Sequence, residues 1–260
     1  MRYLYCQVNE LALALFMISA FTLAAVGTLK ASYRFLPGLR FEPGSSDFGQ
    51  IYGGAVGSIF ALVFALVIVA VWQNYDKVSS IVDQEANALH NLYQNLEGYP
   101  PEFRDPIRAE LKAYVRQVID KEWTRITDGD QDPETNRMIA HLGLAFTTYK
   151  PAALGDLPLH QQQLQQLALC RSLRHDRIEG GETYLDASMW ISLGMGSLIL
   201  LAFSCLLNMG SLRQHHLMHA TLGASLGLVF FLLLVYNYPF LGPGAISPAP
   251  LRMLLERFWV

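Results

Sequence analysis

Four long apolar stretches dominate the pattern of hydrophobic and polar positions along the chain. No Asp, Glu, Lys or Arg occurs in residues 11–29, 51–73, 187–212 and 214–241. Each stretch reaches the roughly 18–20 residues that a helix needs to cross a hydrocarbon core of about 30 Å. The sequence therefore predicts an integral membrane protein that lies in a lipid bilayer. Its four expected transmembrane helices are Leu11–Leu29, Ile51–Gln73, Met189–Leu207 and Leu217–Tyr236.

A polar block separates the second stretch from the third. Between Asn74 and Asp186 there are 12 Lys and Arg against 18 Asp and Glu, whereas the rest of the chain holds 7 and 4. A block of this length is large enough to be a domain. The expected domains are residues 1–73 with transmembrane helices 1 and 2, a helical domain at 74–186, transmembrane helices 3 and 4 at 187–238, and an amphipathic tail at 239–260.

The second apolar stretch continues into this block without a break. Steps of three and four residues connect Tyr75, Val78, Val82, Glu85, Leu89, Leu92 and Leu96, and no Gly or Pro intervenes before Gly98. This spacing predicts one helix from residue 51 to about 96, roughly 69 Å long.

Further helices are predicted after Asp-Pro pairs, in which the aspartate caps a helix that begins with proline. Asp105-Pro106 and Asp132-Pro133 have this form, and another helix begins near Asp156. No segment shows the period-two alternation of a β-strand. The sequence thus predicts an all-α fold: four transmembrane helices with a cytosolic helical bundle inserted between helices 2 and 3.

The distribution of charge bears on orientation and on the class of protein. Near the span ends, the side of the polar block has six Lys and Arg and the other side four, so the positive-inside rule favours a cytoplasmic block. No basic tract could neutralise many phosphates, so no nucleic-acid partner is expected. The three cysteines Cys6, Cys170 and Cys205 form no metal-ligand spacing, and no metal or cofactor is expected.

One face of the second span has two interpretations. Steps of three or four residues connect Gly53, Gly57, Phe60, Phe64, Ile68 and Val71. Small residues at such spacing allow close helix packing. The same face would also suit the wall of a narrow apolar pore.

Glu85 interrupts an apolar stripe, and a lone buried carboxylate is costly unless it is paired. Arg171, Arg174 and Arg177 recur at steps of three on one predicted helix. We expect an ion pair of Glu85 with Arg171 or Arg174 inside the cytosolic bundle. The same groups could instead line an ion vestibule.

Three further signals have ordinary structural interpretations. Asp128, Asp130 and Asp132 open like a calcium loop, but Pro133 stands where such a loop needs glycine, so a polar turn is expected. His215, His216 and His219 begin the fourth span, either as interfacial histidines or as a pH-sensitive group. No catalytic motif occurs, and enzymatic activity is not expected.

Several segments together resemble the bestrophin-like family of bacteria and plastids. They are VWQNYDKVSSIVDQEANALHNLYQNLEGYP, LKAYVRQVIDKEW, LALCRSLRHDRI and YNYPFLG, with Glu85-Ala86, Glu122-Trp123, Arg171, Arg174 and Pro239-Phe240 as the marker residues. The resemblance covers roughly residues 10–245. It implies a relation to bestrophins, which are pentameric anion channels with a narrow apolar neck and a large cytosolic helical domain.

By this resemblance, Phe60 and Phe64 would form the neck and Gly53 and Gly57 its outer part. It also implies a homo-oligomer, a pentamer, in the bacterial inner membrane. The calcium-binding acidic cluster of animal bestrophins has no counterpart between Asn237 and Leu255, where no acid occurs.

The leading hypothesis is an oligomeric channel that conducts inorganic ions passively, anions above all, through an apolar neck lined by transmembrane helix 2. Two alternatives remain open. One is a non-conducting membrane scaffold that binds a partner through its cytosolic bundle, and the other is a stator-like motor subunit.

Overall fold

In the computed structural model, every regular element of the described chain is helical, which confirms the all-α prediction. The structure describes residues 9–35, 46–126, 131–182, 184–207, 211–242 and 244–259. Cys6, Asp128 and Asp130 lie outside these ranges.

The helices follow the predicted pattern closely. Their bounds are α1 Glu10–Phe35, α2 Ser46–Gln94, α3 Pro101–Gln117, α4 Pro133–Thr148, α5 Leu157–Glu179, α6 Ala187–Leu206, α7 Leu212–Asn237 and α8 Ala249–Met253. A π turn at Val118–Glu122 extends α3 into a last helical turn at Trp123–Arg125, and a second π turn at Leu254–Phe258 extends α8.

Helices α1, α2, α6 and α7 are long and apolar enough to cross a membrane. Helix α2 runs for 49 residues without a break, as its unbroken periodicity predicted. The chain divides into two compact units. The first comprises Met1–Gln73, Thr183–Asn237 and Gly242–Gly244, and the second comprises Asn74–Glu182, Tyr238–Leu241 and Ala245–Val260.

In the first unit, glycines bring α7 close to α1. A Cβ atom added at Gly223 would lie 2.6 Å from the Cβ of Ala25, and one added at Gly227 would lie 2.8 Å from the Cα of Ile18. Neither position leaves room for a side chain, so the two backbones pack directly against each other, as small residues four apart permit.

In the second unit, the structure confirms one of the two helix starts predicted from Asp-Pro pairs and contradicts the other. Asp132 accepts a hydrogen bond from the backbone N–H of Thr135 at 3.0 Å, and Pro133 follows it, as expected. The predicted start, with Asp105 as the cap and Pro106 as the first helical residue, is wrong, because α3 begins five residues earlier at Pro101 and Pro106 lies inside it. Pro106 is the sixth residue of α3 and lacks the N–H that would bond to the carbonyl of Glu102, so the helix gives up one hydrogen bond at this position.

Candidate functional site

The predicted stripe of six residues on α2 faces other helices of the same chain. A Cβ atom added at Gly53 would lie 2.4 Å from the ring of Phe203 on α6. One added at Gly196 of α6 would lie 2.5 Å from the ring of Phe60. The rings of Phe64 and of Phe230 on α7 meet edge to face, 6.2 Å apart.

The rest of the stripe lies on the same side. Val71 is fully buried and Ile68 packs against the apolar cluster of the first unit. A Cβ atom added at Gly57 would lie 4.0 Å from a methyl group of Leu200. We call these six residues the inner row of α2. Within one chain these residues pack against neighbouring helices, as the first of the two interpretations expects.

The opposite side of the same helix is uncovered. Ile59, Leu62, Leu66 and Val69 are 64%, 62%, 62% and 47% exposed. Together with Ala55 they follow one another at steps of three and four and lie roughly half a turn from the inner row. We call these five residues the outer row. In their most apolar parts α1 and α2 are each 11% buried, against 44% for α7, so the chain itself leaves large faces of both α1 and α2 uncovered.

The register of the outer row continues along α2 as polar residues. The same steps lead to Gln73, Asp76, Ser80, Asp83 and Asn87, and all five are exposed. No ion pair involves Asp76 or Asp83 among the described residues. These positions therefore carry unneutralised negative charge.

Glu85 lies on the other side of α2, inside a buried ion-pair network of the second unit. Arg177 donates to Glu85 from Nε at 2.5 Å and from Nη2 at 3.2 Å. The same Nη2 donates to Glu122 at 2.7 Å, and Arg174 donates to both oxygens of Glu122, from Nε at 3.1 and 3.0 Å. All four side chains are buried and their formal charges cancel.

The network corrects the expected partners of Glu85. Its partner is Arg177, and Arg174 pairs with Glu122 instead. Arg171 lies outside the network, because its Nη2 donates to the backbone carbonyl of Ile139 at 2.9 Å. Residues three apart on a helix are rotated by about 60°, so three such arginines cannot point to one carboxylate.

Glu122 is the network residue that periodicity alone did not identify. It ends the π turn, and the wider turn keeps it on the same buried side of α3 as Val118. The spacing of Leu111, Val118 and Glu122 is a signal that could have found it. Beside it, the guanidinium of Arg177 lies over the ring of Trp123, 5.2 Å from its centroid.

The electrostatics of the network follow from its burial. Burial alone would lower the pKa of Arg177, but the charge of Glu85 and its hydrogen bond outweigh that effect and raise it. Burial, with Glu85 as a smaller contribution, raises the pKa of the Tyr114 hydroxyl well above its usual range. The arginines stay charged and Tyr114 stays neutral at physiological pH, so the network is a permanent, neutralised core element.

Among the described residues, no group of three His, Cys, Asp or Glu is arranged to hold a metal ion. Asp132 is the described member of the predicted polar turn. Its carboxylate accepts from the hydroxyl of Thr135 at 2.9 Å and from Gln117 at 3.0 Å, as a helix cap does.

Comparisons with solved structures show the fold to be one already known. A crystal structure of a membrane protein variant superposes with a TM-score of 0.69 at 14% identity, covering 95% of this chain and 97% of the other. A variant of a bacterial bestrophin homologue from Klebsiella pneumoniae superposes with a TM-score of 0.67 at 13% identity, again covering 95% and 97%. Identities this low establish the fold alone.

Comparison of the sequence with family profiles gives the relationship itself. Among curated proteins, none matches the chain. The profile of the bestrophin-like domain, however, matches residues 19–251, which is most of the chain. The sequence resemblance, the helical fold and this match agree, and the chain is a member of the bestrophin-like family of membrane proteins.

Proposed function

We propose that this chain assembles into a ring-shaped homo-oligomer that conducts ions passively, with the outer row of α2 facing the central axis. The observation that carries the proposal is the outer row itself. Ile59, Leu62 and Leu66 lie at regular steps on α2, and more than half of the surface of each side chain is left uncovered by its own chain. The family resemblance supports a ring and implies five subunits.

The chemistry of the outer row fits a hydrophobic constriction. Rings of apolar side chains resist wetting, so an ion that crosses them loses hydration with little replacement. The apolar stretches 11–29, 51–73, 187–212 and 214–241 contain no Asp, Glu, Lys or Arg. Pumps and coupled transporters generally need such a residue within the membrane, so passive conduction is the better match.

The proposal changes which residues line the pore. Gly53, Gly57 and Phe60 approach α6 of the same chain, and Phe64 meets Phe230 of α7. Phe64 is buried and Phe60 is partly buried in this packing. A pore lined by α2 therefore uses the opposite face. The small Ala55 and the larger Ile59, Leu62 and Leu66 give that face a wide and a narrow level.

The family resemblance implies that the conducted ions are anions. One observation favours cations as a second candidate, because Asp76 and Asp83 continue the outer row and make no ion pair among the described residues. Rings of aspartate favour cation passage. Reversal potentials in a potassium chloride gradient distinguish the two signs of selectivity directly.

We further propose that the second unit lies in the cytoplasm of a bacterial cell, below the inner membrane. The excess of Lys and Arg near the span ends on that side supports this orientation. A cysteine introduced at the exposed Gln162 should resist a membrane-impermeant thiol reagent in intact cells and react after lysis. Equal labelling in intact and lysed cells would contradict the orientation.

Cysteine accessibility in reconstituted protein tests the channel itself. Leu62 and Leu198 are each 62% exposed, on α2 and α6, and they form a matched pair. We expect a charged, water-soluble thiol reagent to reduce the current of Leu62→Cys in planar bilayers by more than half. Leu198→Cys should not respond, because its side chain faces lipid in this proposal.

Two results would favour an alternative. If both variants are inert and the unmodified protein carries no current in any salt, the non-conducting scaffold takes the place of the channel. If only Leu198→Cys responds, α6 lines the path and the assignment of α2 is wrong. A stator-like subunit would require a partner with a membrane carboxylate before any ion moves.

A further inference from the structure

A small, partly enclosed cavity lies in the second unit, where the ends of three helical elements meet. Its volume is ≈ 10 Å³, which is about enough for one water molecule. Gly98 and Tyr99 line it from the end of the turn that follows α2, and Tyr149 lines it from the end of α4. Asp156 and His160, at the start of α5, complete the polar part of the wall.

Asp156 is the one carboxylate among the residues that line the cavity. Helix α5 begins at Leu157, directly after Asp156, as the sequence predicts, but the side chain of Asp156 makes no capping hydrogen bond. An aspartate at this position ordinarily accepts from a backbone N–H of the first turn. Asp156 also makes no ion pair among the described residues, and the neighbouring Lys150 is exposed without pairing to it. The carboxylate is therefore free to meet a ligand.

The aromatic part of the wall is held in place by its own contacts. The hydroxyl of Tyr99 and Nδ1 of His160 are hydrogen-bonded at 2.9 Å. The ring of Tyr149 lies 5.1 Å from that of Tyr99 and 5.6 Å from that of His160, between centroids. Burial raises the pKa of Tyr99 to about 12, so its hydroxyl stays neutral at physiological pH. Asp156 thus faces a preformed wall in which both tyrosines are uncharged.

We propose that this cavity, which we call the amine site, binds the primary ammonium group of a small amine, with the carboxylate of Asp156 as its counter-charge. An ammonium group is close to a water molecule in size and donates three hydrogen bonds. A carboxylate forms strong, charge-assisted hydrogen bonds with such a donor. Aromatic rings also attract cations, which favours an ammonium group beside Tyr99 and Tyr149. The hydrocarbon part of the amine extends out of the open side.

The size and the donor set of the amine site separate a primary ammonium group from other ligands. A quaternary ammonium group is too large for the space of one water molecule. Calcium and magnesium take six or more oxygen ligands, whereas the lining residues offer one carboxylate. An anion would meet that carboxylate without a compensating charge. This inference does not depend on ion conduction, since it concerns the second unit alone.

Saturation-transfer NMR tests the amine site with methylammonium chloride as the probe. The full-length protein is held in neutral maltoside micelles, and sodium chloride keeps the ionic strength constant. Transfer of saturation from the protein to the methyl protons of the probe reports binding, and its dependence on probe concentration gives a Kd. Tetramethylammonium chloride and potassium chloride are added as competitors, the first to test size and the second to test the need for hydrogen-bond donors.

We expect saturable transfer to methylammonium in the unsubstituted protein. Asp156→Asn should weaken binding by about tenfold or more, because the charge-assisted hydrogen bond is lost. The matched variant Asp120→Asn removes another exposed carboxylate that makes no ion pair among the described residues and does not line the cavity, so its Kd should be unchanged. Neither competitor should displace the probe at equal concentration.

Three outcomes would overturn the amine site. Transfer that is absent or does not saturate shows that the cavity holds water alone. An unchanged Kd in Asp156→Asn places the bound probe elsewhere on the protein. Displacement by tetramethylammonium or potassium as effective as by methylammonium itself shows a general attraction of cations to the surface instead of a site for a primary ammonium group.

Discussion

The two faces of α2 carry similar kinds of residue but differ in how far the rest of the chain covers them. The inner face is covered along its length, first by α6 and α7 in the first unit and then by the core of the second unit. The outer face is uncovered, apolar from Ala55 to Val69 and polar from Gln73 onward. The inner face therefore contributes to stability, and the outer face is left uncovered by its own chain and is the one that the proposed channel assigns to the pore.

Two carboxylates two residues apart show the difference most clearly. Glu85 is fully buried and pairs with Arg177, whereas Asp83 is exposed and makes no ion pair among the described residues. Burial makes a charged partner necessary for Glu85, and exposure removes that need for Asp83. The same charge is thus structural at one position and free to act on solution ions at the other.

The largest expected effect is at Glu85. Replacing it by glutamine leaves Arg174 and Arg177 with Glu122 as their one carboxylate, so the buried network keeps one uncompensated positive charge. Glu85→Gln should therefore lower the free energy of unfolding by about 3–5 kcal/mol. The matched variant Asp83→Asn should change it by less than about 0.5 kcal/mol. Equilibrium unfolding in mixed micelles measures both, and equal values would remove the distinction between the two faces.

Next in size is the truncation of a covered ring. Phe64→Ala should cost roughly 3 kcal/mol, because it leaves a cavity between α2 and α7. Leu62→Ala, on the outer row, should leave the stability of one subunit nearly unchanged and alter the current instead. A stable Phe64→Ala oligomer with enlarged conductance would instead support the neck that the sequence resemblance implied for that ring.

A smaller effect is expected where α6 approaches α2. Gly196→Ala places a methyl group 2.5 Å from the ring of Phe60, so we expect a loss of about 1–3 kcal/mol from overpacking. Gly194→Ala, two residues away, meets nothing within 4 Å and should be neutral or stabilising by up to about 1 kcal/mol. Thermal midpoints of the two variants compare them directly, and the reverse order would show that α6 packs through its other side.

The smallest effect on stability is expected at the polar end of the outer face. Substitutions there bear on ion selectivity instead. Asp76→Asn/Asp83→Asn should leave the unfolding free energy within about 0.5 kcal/mol of the original. If these residues line the path, the variant should shift the reversal potential toward anion selectivity. An unchanged reversal potential would show that the two aspartates lie away from the permeating ions.

Much of the fold could be predicted from the sequence because the signals were long and periodic. The apolar stretches gave the four spanning helices, and the unbroken spacing from Tyr75 to Leu96 gave the length of α2. The stripe also predicted that Glu85 is buried and paired. The cap at Asp132 could be predicted because the aspartate and the following proline act locally.

The candidate site was harder to predict because its decisive features are tertiary. Helix α2 is apolar all round in the membrane, so periodicity does not say which side meets its own chain. Gly53 is informative only once Phe203 is known to lie against it. The partner of Glu85 depends on the rotation of α5, and a three-residue step from Arg174 to Arg177 changes which carboxylate each arginine reaches.

The most direct test of the central claim is a structure of the assembled oligomer in lipid, with the distance of each α2 side chain from the symmetry axis. The account predicts that Ile59, Leu62 and Leu66 lie closest to the axis and form its narrowest apolar level. It also predicts that Phe60 and Phe64 stay packed against α6 and α7. Lipid acyl chains covering the outer row, or an axis lined by the rings of Phe60 and Phe64, would contradict it.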